Sequence, residues 1–62
     1  MTLAISLLPN GYVRARCRAS GLEALFNQDG SGRGGCVHLE RNTEVQAEVR
    51  AWVAANLMRG VQ

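Results

Sequence analysis

Cys17, Cys36 and His38 come nearest, by residue type, to metal or nucleophilic chemistry in this chain. Together they offer three soft ligands, but a structural zinc site takes four at clustered spacing, and Cys17 lies far from the other two. Nucleophilic attack needs a thiol or hydroxyl beside a positioned base, with donors for the developing oxyanion. Cys36 and His38 would share one side of a regular strand, and no such donors accompany them. Asn27, Asp29, Ser31 and Gly32 begin like a calcium loop, yet its twelfth position, where a bidentate glutamate belongs, holds His38. Gly30, Gly32 and Gly35 match G-x-G-x-x-G, the pattern whose amides cradle a pyrophosphate at a helix N-terminus. Here a strand rather than a long helix is expected to follow. Glu23, Asp29, Glu40, Glu44 and Glu48 show no spacing that singles out an acid/base pair. The expectation is a non-enzyme with no catalytic, cofactor-binding or metal-ligating residue.

The more informative polar feature is a row of arginines. Tyr12 to Ala19 alternates Tyr12, Arg14, Arg16 and Arg18 against Val13, Ala15, Cys17 and Ala19, the period of a strand with one apolar side. Like charges two residues apart repel, so either acidic neighbours such as Glu40 relieve them or an anionic partner does. Every basic residue of the chain is arginine, which favours planar, bidentate contacts over point charges. The net charge of +2 does not by itself imply nucleic acid. Three arginines on phosphates would give a salt-dependence slope of about −2.7, at about 0.9 per contact, which is weak for a nucleic-acid binder. A base-stacking sheet also wants several aromatics, and this face offers Tyr12. Arg33, in Arg33-Gly34-Gly35, resembles a single element of an RNA-binding glycine-arginine tail. Tyr12, Arg14, Arg16, Arg18 and Arg33 are therefore the candidate partner-binding residues.

The elements that must position them are legible in part. Thr2 to Leu8 alternates like a strand and is followed by Pro9-Asn10-Gly11. A two-residue Asn10-Gly11 loop would pair Leu7 with Arg14 and mix the two faces. A type I turn centred on Pro9 and Asn10, with Gly11 left-handed in a bulge, pairs Leu7 with Val13, Ile5 with Ala15 and Leu3 with Cys17. The second register is the expected one. Ser20 with Glu23 has the form of a capping box, and Leu22, Leu25 and Phe26 follow helical spacing, so Ser20 to Gln28 reads as a short helical turn, with a hairpin turn at Ser20-Gly21 into a third strand as the alternative. Asp29 to Gly35 is glycine-dense and reads as an exposed, mobile loop. Cys36 to Glu40 alternates Val37 and Leu39 against His38 and Glu40, and a short strand is expected there.

Thr43 to Gly60 has the period of an amphipathic helix, opened by a Thr43/Gln46 capping box and stopped by Gly60. Val45, Val49, Trp52, Val53 and Leu57 form its core stripe, with Trp52 as the expected anchor and Asn56 as a buried amide near its centre. Glu44 and Glu48 lie early and Arg59 late, as the helix dipole prefers. Ala47, Ala51, Ala54 and Met58 line its back, smooth enough for a second helix or a second copy of the domain.

At 62 residues the chain allows one domain, residues 1–62, with a modest core, and its 47% hydrophobic content argues against disorder. Met1 to Pro9 lacks the basic start and cleavage-like site of a secretory signal, no run approaches a membrane span, and Cys17 and Cys36 are expected as free thiols in the cytoplasm. The expected fold is α+β, a three- or four-stranded antiparallel sheet with a C-terminal helix on one side and the arginine row on the other. The expected function is binding. A small module of this kind occupies the surface of a protein partner with acidic groups, and in size and layout it is similar to small inhibitors that phages and mobile elements encode, anti-CRISPR proteins among them. A weak nucleic-acid-binding accessory protein and a small structural subunit, dimerising through the helix back, are the alternative expectations.

Overall fold

The alternation of Leu3, Ile5 and Leu7 against small residues, and of Val13, Ala15 and Cys17 against arginines, gives two strands that each have one apolar side. A computed structural model describes residues 2–57. It pairs β1 (Leu3–Leu7) with β2 (Val13–Cys17) in the three-residue-loop register: Leu7 faces Val13, Ile5 faces Ala15 and Leu3 faces Cys17. The turn is closed by the Gly11 amide donating to the Leu8 carbonyl at 3.0 Å, and the Asn10 side chain accepts from the Tyr12 amide. Gly11 adopts φ 90°, a left-handed value that costs glycine little and other residues more.

The antiparallel sheet continues in chain order as β1-β2-β3-β4, with β3 spanning Glu23–Phe26 and β4 spanning Gly32–Gly35. Two segments depart from the sequence reading here. Ser20 to Gln28 holds a strand instead of a helical turn. The Ser20 hydroxyl accepts from Leu22, two residues on, rather than capping a helix, and Gly21 at φ 77° sends the chain back along β2. The backbone groups on the free side of β2 need partners, and β3 supplies them by placing Phe26 opposite Val13 and Ala24 opposite Ala15. The glycine segment, expected as a mobile loop, is a turn at Asp29-Gly30 followed by β4. Gly35 stands opposite Ala24, Gly34 opposite Leu25 and Gly32 opposite Phe26, with Arg33 as the extra residue of a bulge.

Cys36 to Glu40 also departs from the strand expected of it: Cys36 is extended and Val37 to Glu40 are helical. Gly35 has φ 92°, which turns the chain off the sheet edge, and α1 (Val37–Glu40) follows as a single turn. A four-residue alternation cannot distinguish the two states, because Leu39 alone needs to be buried, and Val37 is exposed. The second helix, α2, spans Thr43–Asn56. Its N-cap is Asn42, whose side chain accepts from the amides of Glu44 at 2.9 Å and Val45 at 3.2 Å, so the Thr43 capping box does not form. Gln46 instead donates to the Glu40 carbonyl and ties the two helices together. The expected stop at Gly60, and the placements of Met58 and Arg59, lie outside the described residues.

The core forms between the apolar sheet side and the helices. Val45, Val49 and Val53, one per helical turn, are buried against Val13, Ala15, Cys17, Ala24, Phe26 and Leu39. Trp52 is half-buried at the flank rather than central, since it lies about 100° around the helix from Val53. Phe26 takes the central place and is the largest fully buried side chain. Asn56 is exposed and its amide donates to the Trp52 carbonyl, so it is not the buried amide expected. Ala47, Ala51 and Ala54 are exposed on the helix back.

Candidate functional site

Because residues of β2 alternate sides, burying Val13, Ala15 and Cys17 obliges Arg14 and Arg16 to project from the opposite side of the sheet, where both are exposed. Arg18 keeps the same parity and is exposed in the turn just beyond β2, its amide donating to the Thr2 carbonyl at 3.2 Å. The cross-strand neighbours set the local field. Arg14 is flanked by Ser6 and Leu25, and Arg16 by Ala4 and Glu23. Glu23 is thus the acidic side chain directly opposite the row, worth about 0.2–1 kcal/mol in such a position. Glu40, the expected counter-charge, lies elsewhere: its side chain packs over Gly32. Small residues on β1 leave the guanidinium groups unshielded on that flank.

Tyr12 and Arg33 are brought together. The Arg33 guanidinium carbon sits 4.3 Å from the centroid of the Tyr12 ring, a cation–π contact that spans β3. Three features fix it. The Arg33 bulge aims that side chain across the sheet; the Tyr12 amide is held by Asn10; and the Gln28 side chain donates to the Gly11 carbonyl at 3.0 Å, which ties the two turns at this end of the sheet. The sequence resemblance to a glycine-arginine tail missed this placement because β4 has almost no side chains to reveal a strand. The five candidate residues therefore share one side of the sheet, as the row of Arg14, Arg16 and Arg18 with the stacked Tyr12–Arg33 pair near one end. The surface is open, and no pocket forms among the described residues.

The G-x-G-x-x-G glycines have a packing explanation. A Cβ on Gly30 would stand 2.6 Å from Arg50 Cγ and 2.9 Å from the Gln46 carbonyl oxygen, and one on Gly35 would stand 2.9 Å from both the Ala24 Cα and the Glu23 oxygen. Backbone crowds Gly35, backbone and the Arg50 side chain crowd Gly30, and the Glu40 side chain crowds Gly32. The calcium-like residues are absorbed into the β3–β4 turn: the Asp29 carboxylate accepts from the Ser31 amide at 2.9 Å and hydroxyl at 2.6 Å, and these bonds hold its carboxyl below the usual range. Cys17 is buried, Cys36 half-buried, and both are free thiols. The Ser20 hydroxyl, with the Ser20 and Ala19 amides, holds the Cys17 thiol below the usual thiol range. Among the described residues, no three metal-ligating side chains cluster, and no helix is long and apolar enough to cross a membrane. No protein-family model, curated protein or solved structure matches the chain.

Proposed function

We propose that this chain is a non-enzymatic binding module that works in the cytoplasm by occupying an acidic surface of a protein partner. The observation that supports this reading is the separation of the sheet into an apolar side that forms the core and an open side carrying Arg14 and Arg16, with small residues on the β1 flank and Leu25 and Glu23 on the β3 flank. Guanidinium groups held on a rigid strand lose less freedom on binding carboxylates than groups on a loop would, and they engage them bidentately. The Tyr12–Arg33 stack offers an amphipathic anchor at one end of the same surface. In scale and layout such a module suits an inhibitor of a larger host complex, of the kind phages encode.

A nucleic-acid partner is the weaker reading. Arg33 covers one side of the Tyr12 ring, the aromatic on which a base would stack, and the row supplies few phosphate contacts. The test is charge reversal at two positions, R14E with R16E, with circular dichroism to verify the fold. Affinity for the partner retained from a host lysate should fall by at least about tenfold, since each reversed contact replaces attraction by repulsion. Unchanged affinity sinks the proposal. A mobility-shift series across salt addresses the second reading, which requires binding that survives at physiological ionic strength.

A further inference from the structure

The sheet has two edges, and they differ. β4 is interrupted by a bulge with a charged residue, Arg33, at its centre, a device that discourages further strand pairing. β1 is regular through all five residues, with no charge, proline, glycine or bulge. Its helix-side residues are also under-covered, because α2 packs over β2 and α1 over β3 and β4. Leu3 and Ile5 are half-buried and Leu7 is 44% exposed.

The hydrogen-bond parity of β1 fixes which groups are offered. The Leu8 amide donates to the Tyr12 carbonyl and the Arg18 amide to the Thr2 carbonyl, so even-numbered residues of this strand bond toward β2. The amides and carbonyls of Leu3, Ile5 and Leu7 then point outward, and among the described residues no strand lies beyond them. We infer that β1 is a dimerisation edge whose occupant is β1 of a second copy, antiparallel about a two-fold axis at Ile5. In that register Ile5 faces its own mate and Leu3 faces Leu7 of the other copy. All three are residues with outward amide and carbonyl groups, so each pair exchanges two bonds, about six in all. The same pairing buries the half-covered leucines and isoleucines against one another on the helix side and sets Ala4 opposite Ser6 on the other, with no clash of size or charge.

The arginine rows tolerate this arrangement. Arg14 of one copy and Arg16 of the other lie three strand spacings apart, about 14 Å at roughly 4.8 Å each, beyond the Debye length of about 8 Å at physiological salt. The two-fold axis, normal to the sheet, places both rows on the same side of one continuous sheet, which makes the binding surface bivalent. A neutral, self-complementary strand suits a second copy better than the acidic partner proposed for the open side. Five paired residues per copy fall short of the roughly 20–30 a side of a standard interface, so association should lie in the micromolar range or weaker.

The test needs purified protein alone and is therefore independent of the partner reading. Sedimentation across about 1 μM to 1 mM should show a monomer converting to a dimer. Amide exchange followed by NMR over the same range should show protection rising with concentration at Leu3, Ile5 and Leu7 but not at Ala4 and Ser6. I5P, which removes the central donor pair, should weaken association at least about tenfold. L7K, at a position already partly exposed, serves as the variant least exposed to misfolding and should also weaken it. A chain that stays monomeric throughout, or a dimer whose new protection falls on other amides, the exposed alanine face of α2 included, overturns the inference.

Discussion

Replacing Gly35 by alanine tests whether the glycine segment is a strand packed on the core, because that packing is what places Arg33 over Tyr12. Two costs add. Gly35 sits at φ 92°, where an L-residue is disfavoured by about 1–2 kcal/mol. Its new Cβ would also stand 2.9 Å from the Ala24 Cα and the Glu23 carbonyl oxygen. Those are backbone atoms of the neighbouring strand, so relief requires β3 and β4 to separate, at about 1–3 kcal/mol for overpacking of this kind. The sum, about 2–5 kcal/mol, is a large share of the roughly 3–9 kcal/mol expected for a domain of this length. Urea denaturation followed by Trp52 fluorescence reads it directly: with a slope near 1 kcal/mol/M, the midpoint should fall by about 2 M or more. Gly34 is the internal control. It has no left-handed φ, and a Cβ there would meet nothing within 4 Å, so G34A should stay within about 0.5 kcal/mol of wild type. In a mobile loop the two substitutions would behave alike. Equal midpoints for G35A and G34A would refute the reasoning and detach Arg33 from the site.

Two further predictions concern the elements that flank the sheet. Asn42→Ala removes the acceptor for two amides of α2 and should cost about 1 kcal/mol, whereas Thr43→Ala should cost less than about 0.5 kcal/mol; thermal melts showing the reverse order would reinstate a Thr43 cap. For Asp29, the Ser31 hydroxyl and amide hold the folded-state carboxyl below its ordinary value, so the folded chain binds that proton less tightly than the unfolded chain does. Its contribution is complete above the unfolded value of about 3.9 and is lost as pH falls through the lower folded value. The melting-temperature difference between wild type and D29N should accordingly be present at neutral pH and shrink below about pH 4; a difference that grew in acid would contradict the assignment.

How far the sequence reveals this fold depends on side-chain content. β1 and β2 carry alternating large and small, apolar and charged residues, and a proline and a glycine at fixed turn positions, so their register and the exposure of Arg14, Arg16 and Arg18 were both deducible. The α2 stripe is legible for the same reason: Val45, Val49 and Val53 are buried as their spacing requires, and only the central place expected of Trp52 falls instead to Phe26. β3 was obscured because Ser20 and Glu23 imitate a helix start, and its partner strand was hidden. β4 could not be read at all, since Gly32, Gly34 and Gly35 have no side chains to alternate. Its role is visible only from the atoms it touches. The stacking of Arg33 on Tyr12 inherits that opacity, as it depends on a bulge that composition cannot announce.

The core and the arginine-bearing side of the sheet are coupled through β2. Val13, Ala15 and Cys17 are buried by the same alternation that exposes Arg14 and Arg16, and the phase of that alternation is set by the turn at Pro9-Asn10-Gly11. Slipping the register by one residue, to a two-residue Asn10-Gly11 loop, would place Arg14 opposite Leu7 and exchange the two sides of β2 relative to β1. Arginines would then face Val45 and Val49, and desolvating even one guanidinium without a partner costs more than the domain has in reserve. The turn therefore cannot drift without unfolding the protein. The burial of the core and the exposure of the arginine row thus depend on one backbone conformation at Gly11, which lets so small a sheet present charges outward while, among the described residues, no polar side chain is buried.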